Sequence, residues 1–243
     1  MAKSGLLSFI AFVLLVSSCL LTQRCSNAEA DVVWHEVDPR KQNLQLYWKD
    51  DTGQPFRSIG NLRTWLNAKG QRLVFAMNGG MFKEGSVPQG LFIQNKIVLV
   101  PLDTTSGSGN FYLKPNSVFY LTTKGNAVVC PTQNFIPDSS ITFATQSGPL
   151  LLINSNIHPA FTNGSVNVHI RNGVGILPNG NALFAMSKEK VSFYDFAQWF
   201  RQRGCSDALY LDGFVSRTYL PAAGWEQTDG DFGVIIGLTV LEK

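Results

Sequence analysis

Gly70-Gln-Arg-Leu-Val-Phe-Ala-Met-Asn78-Gly79 and Gly204-Cys-Ser-Asp-Ala-Leu-Tyr-Leu-Asp212-Gly213 align position for position, and their reading decides the fold. Each starts at a glycine placed to cap a helix, runs through an apolar segment of strand length, and ends on a polar residue and a second glycine. Such a run between turn residues reads as a strand buried on both faces. A polar side chain at its end leaves the sheet edge, and the glycine after it lets a ligand approach the backbone. The match points to Asn78 and Asp212 and carries no claim of duplication.

Helical spacing precedes each stretch. From Phe193 to Arg203, the residues Phe193, Phe196, Ala197 and Phe200 make one apolar stripe. Ser192 with Asp195 forms a capping box, and Gly204 suits a left-handed C-terminal cap. The other candidate helix runs from Leu62 to Ala68, with Leu62, Trp65 and Leu66 facing one way. Elsewhere Gly, Asn, Ser and Pro clusters cut the chain into short runs that read as strands joined by turns. These are Leu44 to Trp48, Leu91 to Val100, Val118 to Leu121 with Ala127 to Cys130 across Lys124-Gly125-Asn126, and Leu150 to Ile153. Further strands flank Pro178-Asn179-Gly180, and the last runs from Val234 to Leu241. The expected fold class is α+β: a single domain of mostly mixed or antiparallel β-sheet, with two main helices packed against it.

Residues 1–30 read as a signal peptide: a basic head at Lys3, an apolar run from Leu6 to Leu21, and a polar stretch from Thr22 to Ala30. The run contains Ser17, Ser18 and Cys19 and falls short of the ~20 apolar residues of a spanning helix. Two processing sites compete. Ala28-Glu29-Ala30 fits small-x-small cleavage, while Val16-Ser17-Ser18-Cys19 resembles a lipoprotein signal with a lipid anchor at Cys19. The apolar Leu20 and Leu21 are unlike a flexible polar tether, so cleavage near Ala30 is favoured and the expected location is periplasmic or secreted.

Residues 31–243 would then form the mature domain, 213 residues with room for one compact core. Losing Lys3, Arg24 and Glu29 takes the formal charge from +3 to +2, with no basic run to suggest nucleic acid. A small or neutral partner is expected. Of the four cysteines Cys130 and Cys205 remain, and an oxidising compartment permits them to pair. With His35, His158 and His169 as the histidines, and no CxxC or HExxH spacing, neither metal nor cofactor is expected. Asn163-Gly164-Ser165 fits a glycosylation sequon that matters in a eukaryotic host, whereas a bacterial one is expected.

Four segments can carry chemistry. Asn78-Gly79-Gly80-Met81-Phe82 offers successive backbone N–H groups that can cradle an anion, against the reading of an Asn-Gly hairpin turn. Gln146-Ser147-Gly148-Pro149 puts polar groups at the mouth of a buried strand. Thr145 and Pro149 break the G-x-S-x-G elbow, so Ser147 reads as a hydrogen-bond donor to ligand or backbone. Arg171, inside the apolar, glycine-rich His169-Ile-Arg-Asn-Gly-Val-Gly175, needs either a structural carboxylate or a ligand phosphate, and the sequence favours neither. In Asp212-Gly213-Phe214-Val215-Ser216-Arg217 a carboxylate ends an apolar strand, with a hydroxyl and an arginine following. Asp229-Gly230-Asp231 lacks the remaining ligands of a calcium loop and reads as a turn.

These segments in this order, NGGMF, QSGPLLL, IRNGVGI and ALYLDGFVSRTYLP, resemble the phosphodiester glycosidase family over roughly residues 72 to 240, most closely its bacterial branch. The family's animal representative uncovers mannose 6-phosphate by removing a covering N-acetylglucosamine. The resemblance implies a polar cleft with Asn78, Gly79, Gly80, Ser147, Gly148, Arg171, Asp212, Gly213 and Ser216, and a sugar-1-phosphodiester as substrate. Arg171 with the Gly79 and Gly80 N–H groups would hold phosphate, and Asp212 would assist attack at the anomeric carbon. One departure matters: Phe214 and Val215 stand where the animal enzyme has a run of glycines, so its sugar preference does not transfer. Two rivals stay open. A periplasmic or surface module that binds a glycan or phospho-sugar would need Arg171 but not Asp212, and an esterase would use Ser147 with His158 or His169.

Overall fold

The computed structural model describes residues 32–242. The expected signal peptide over residues 1–30 and the anchor at Cys19 lie outside the described residues. In chain order the strands are β1 Val32–Val37, β2 Asn43–Tyr47, β3 Gln71–Asn78, β4 Phe82–Lys83, β5 Val87–Pro88, β6 Phe92–Gln94, β7 Ile97–Val100, β8 Ser117–Thr122 and β9 Ala127–Pro131. They continue as β10 Ile141–Ser147, β11 Leu150–Ile153, β12 Asn156–Ile157, β13 Asn172–Ile176, β14 Ala182–Ser187, β15 Asp207–Tyr210, β16 Thr218–Leu220, β17 Trp225–Glu226 and β18 Ile235–Leu241. Helices Ile59–Asn67 and Phe193–Gln202 lead into β3 and β15.

Among the described residues these form three large antiparallel sheets and a two-stranded one of β4 and β5. One has the order β1-β14-β13-β15-β11-β12, the second β7-β6-β10-β8-β9 and the third β17-β16-β3-β18-β2. All three turn a face to one shared core, where Phe184 and Leu209 of the first sheet meet Phe119 and Phe143 of the second and Phe75 and Ile236 of the third. The architecture is α+β, with the helices on the outside. Along β14, Phe184 and Met186 face the shared core while Leu183 and Ala185 meet Phe196, Ala197 and Phe200 of the second helix. Alternating side chains thus enter two different cores, and for that reason the strand carries no polar face. The first helix covers the third sheet in the same way through Ile59, Leu62 and Leu66 against Leu73, Ala76 and Ile235.

Local chemistry sets the boundaries. Ser192 caps the second helix by accepting the Asp195 N–H at 3.1 Å, while its hydroxyl donates to the Asp195 carboxylate at 2.7 Å. Gly204 takes φ +81°, the left-handed value its position after the helix demands. The run from Leu91 to Val100 is two strands and not one. Asn95 and Lys96 adopt φ 52° and 69°, a two-residue reversal between β6 and β7. It leaves β7 as an edge strand with Ile97, Val98 and Leu99 exposed. Cys130 and Cys205 are both free thiols, and burial raises Cys205 to about 12. No described helix is long and apolar enough to cross a membrane.

Candidate active site

Asn78 ends β3, Ser147 ends β10 and Asn172 opens β13, so each sheet delivers one polar side chain to the loop that follows β15. Together they hold that loop by its backbone. Leu211 donates its N–H to the Asn172 carbonyl at 3.1 Å and accepts the Ser147 hydroxyl at 2.5 Å. The Asp212 N–H donates to Asn172 Oδ1 at 2.9 Å, and its carbonyl accepts Asn78 Nδ2 at 2.8 Å and Ser216 Oγ at 3.4 Å. Gly213 donates to the Tyr210 hydroxyl at 2.8 Å, and its carbonyl accepts the Ser216 N–H at 3.3 Å and hydroxyl at 3.1 Å. Every backbone polar group from Leu211 to Gly213 is thereby paired, as chain lying this deep requires. Gly213 must be glycine, because a Cβ there would overlap the Tyr210 hydroxyl and sit 2.7 Å from the Ile170 carbonyl oxygen.

What this scaffold presents is the Asp212 side chain. Burial pushes its pKa from the ordinary 3.8 up to about 6, outweighing the opposing pull of the nearby Phe214 backbone. A carboxylate poised there accepts and releases protons near neutral pH.

The other expected residues fall into place around it. Asn78 uses its amide inward, accepting Asn172 Nδ2 and the Arg217 N–H at 2.9 Å each on Oδ1. It does not start a hairpin, since β3 pairs with β16 and β18 and not with the next strand. Ser147 is fully buried, and its hydroxyl is committed to Leu211. His158 is held neutral: Nε2 faces the Lys114 carbonyl at 3.1 Å, Nδ1 accepts the Ala160 N–H at 3.1 Å, and burial lowers its pKa. Neither ring nitrogen is left to serve a serine nucleophile. The Gly79 N–H donates to the Val234 carbonyl at 2.7 Å, so the anion nest expected at Gly79 and Gly80 lacks this donor. Gly80 and Gly148 are packing positions, where a Cβ would stand 2.5 Å from the Gln146 carbonyl oxygen and 2.7 Å from Asn116 Cβ respectively. Gln146 braces a neighbouring loop, accepting the Leu91 and Asp103 N–H groups at 2.9 Å each.

Arg171 is 1% exposed. Its guanidinium lies 3.5 Å over the Phe193 ring, and its acceptors are the carbonyls of Val191 and Asn167, both at 2.9 Å. It also lies 5.7 Å from the centre of the ring of Tyr210, whose hydroxyl takes the Gly213 N–H. All these partners are neutral, and among the described residues no carboxylate forms an ion pair with it. Arg217 contrasts: it forms a two-pronged pair with Asp229 at 2.8 Å per contact, as Arg57 does with Asp231. A buried guanidinium stays charged, so Arg171 leaves positive charge uncompensated behind Tyr210. A cleft of about 180 Å³ opens beside it, lined in part by Asn167, Phe193 and Tyr194. Asn172 and Tyr210 are the functional positions that sequence reasoning missed. Asn172 carried a weaker signal than Asn78, a polar side chain that opens a strand rather than ending one, whereas Tyr210 looked like core.

The comparisons bear on family and fold. Residues 71–233 match the family model described as phosphodiester glycosidase. The uncharacterized protein YigE of Escherichia coli strain K12 is 35% identical over 225 residues, covering 90% of this chain and 87% of that protein. Among solved structures, the catalytic domain of zebrafish N-acetylglucosamine-1-phosphodiester alpha-N-acetylglucosaminidase, auto-inhibited by its pro-peptide, has a TM-score of 0.60 at 12% identity. The match covers 86% of this chain and 82% of that one. A Synechocystis protein has a TM-score of 0.54 at 14% identity over 86% of this chain and 59% of its own. At such identities the two structures speak for the fold alone.

Proposed function

The chain belongs to the phosphodiester glycosidase family, and on that footing we propose that it hydrolyses the glycosidic bond of a sugar-1-phosphodiester, releasing free sugar and a phosphate monoester. The observation that carries this reading is a buried guanidinium without an ion-pair partner, packed beside the tyrosine that braces the loop of a carboxylate with a pKa of about 6. Export fits the same reading through the order of basic, apolar and polar segments in residues 1–30.

In this mechanism Asp212 takes a proton from water as its oxygen attacks the anomeric carbon. The bond from that carbon to the phosphate oxygen breaks, and its electron pair leaves with the phosphate. A phosphate monoester is a stable anion, so the leaving group needs little protonation and a second carboxylate is dispensable. Arg171 is covered and so acts through its field, beside Tyr210, whose hydroxyl accepts the Gly213 N–H and can offer its own proton to the phosphate. Charge acting across protein is felt several-fold more strongly than across water.

The test is phosphate-monoester release from a panel of sugar-1-phosphodiesters by the wild type, Asp212→Asn and Arg171→Ala, with folding checked by circular dichroism and the anomer of the released sugar read by NMR. Turnover with inversion, lost in both variants, is the expected result. Retention would make Asp212 a nucleophile. No turnover on any member, with sugar-phosphate binding intact in Asp212→Asn, would leave a binding module in its place.

A further inference from the structure

We infer that Phe214 is the platform on which the sugar ring of the substrate lies, and so sets sugar affinity; the inference rests on the glycosidase reading above. Phe214 is 92% exposed, while Gly213 and Ser216 beside it are buried and Val215 packs partly against the cluster that contains Tyr219. An isolated exposed side chain means little. This one differs in its mount. The turn Gly213–Val215 carries it, and that turn is fixed by the Tyr210 and Ser216 bonds to Gly213.

Phe214 stands two residues after Asp212. Ring and carboxylate therefore leave the same short turn, from Cα atoms no more than about 7 Å apart. A sugar with its anomeric carbon at Asp212 must lie along the adjoining surface. The phosphate is drawn to the side of Arg171 and Tyr210, which leaves the sugar the side that Phe214 occupies. The C–H face of a pyranose is apolar and weakly positive, a match for the negative face of an aromatic ring. Covering it removes apolar surface from water without loading the phosphate or the attacking water.

The experiment compares the wild type with Phe214→Ala, Phe214→Leu and Phe214→Trp on whichever sugar-1-phosphodiester the wild type turns over. Phe214→Ala raises KM about tenfold, equivalent to about 1.4 kcal/mol. Its kcat stays within about twofold and its Tm is unchanged, because the side chain touches solvent rather than core. Phe214→Trp restores KM and Phe214→Leu falls between. An unchanged KM in Phe214→Ala, or a loss confined to kcat or Tm, overturns the inference while leaving the glycosidase reading intact. Should the wild type turn over nothing, calorimetry with N-acetylglucosamine 1-phosphate, glucose 1-phosphate and galactose 1-phosphate separates the two. A tenfold weaker Kd in Phe214→Ala supports the platform without the hydrolase; an equal Kd, or no binding by either protein, overturns it.

Discussion

Replacing Asp212 by asparagine should stabilise the folded protein at neutral pH, and the gain should vanish in acid. An ordinary aspartate titrates at 3.8 and Asp212 at about 6, because burial penalises its charge. Between those values the folded chain keeps a proton that the unfolded chain has released. Stability therefore falls as pH rises from about 4 to about 6 and stays reduced above it. The gap corresponds to about 3 kcal/mol at neutral pH. Asparagine keeps the shape and buries no charge. In a domain of 213 residues each kcal/mol moves Tm by about 2–4 °C, so Asp212→Asn should melt roughly 6–12 °C above the wild type near pH 7.5. Near pH 4 the two should coincide. Thermal melts of both proteins across this range read the effect directly. A Tm difference that does not change with pH would refute the claim that the carboxylate is desolvated, whatever the activity assays show. Gaining stability while losing turnover is the usual trade at a site built to hold an unfavourable charge.

Two further substitutions test the scaffold. Ser147→Ala strands the buried Leu211 carbonyl and should cost about 1–3 kcal/mol in denaturant unfolding, and neither it nor the wild type should react with a serine-directed phosphonate. Labelling at Ser147 would refute its assignment as a support. Gly213→Ala forces a Cβ onto the Tyr210 hydroxyl and should cost roughly 1–3 kcal/mol of stability. Turnover should fall with it, because the Gly213 bond to Tyr210 that fixes the Asp212 loop is lost; full activity in this variant would show that this bond is dispensable.

Much of this was legible in the sequence, for identifiable reasons. Helix and strand boundaries near Ser192, Gly204 and Lys124-Gly125-Asn126 follow from local chemistry, which acts within a few residues. Asn78 and Asp212 stood out as polar groups ending apolar strands, and Asn78 Nδ2 meets the Asp212 carbonyl at 2.8 Å. Direction was harder to read. Ser147 and Asn78 face inward to the backbone, and the Gly79 N–H serves Val234, because the partners come from strands distant in sequence. Nor does the apolar run Leu91 to Val100 reveal its reversal, since Asn95 and Lys96 look like any polar pair until their backbone turns left-handed.

The Leu211-Asp212 backbone hangs from one side chain of each of three sheets, Asn78, Ser147 and Asn172. The proposed activity would thus report on assembly. A folding intermediate missing any one sheet lacks a contact that sets the carboxylate in place, so the proposed hydrolysis would begin only when the whole core has closed. In a denaturant titration the loss of turnover and the loss of strand signal should share one midpoint, with no inactive yet folded species preceding it.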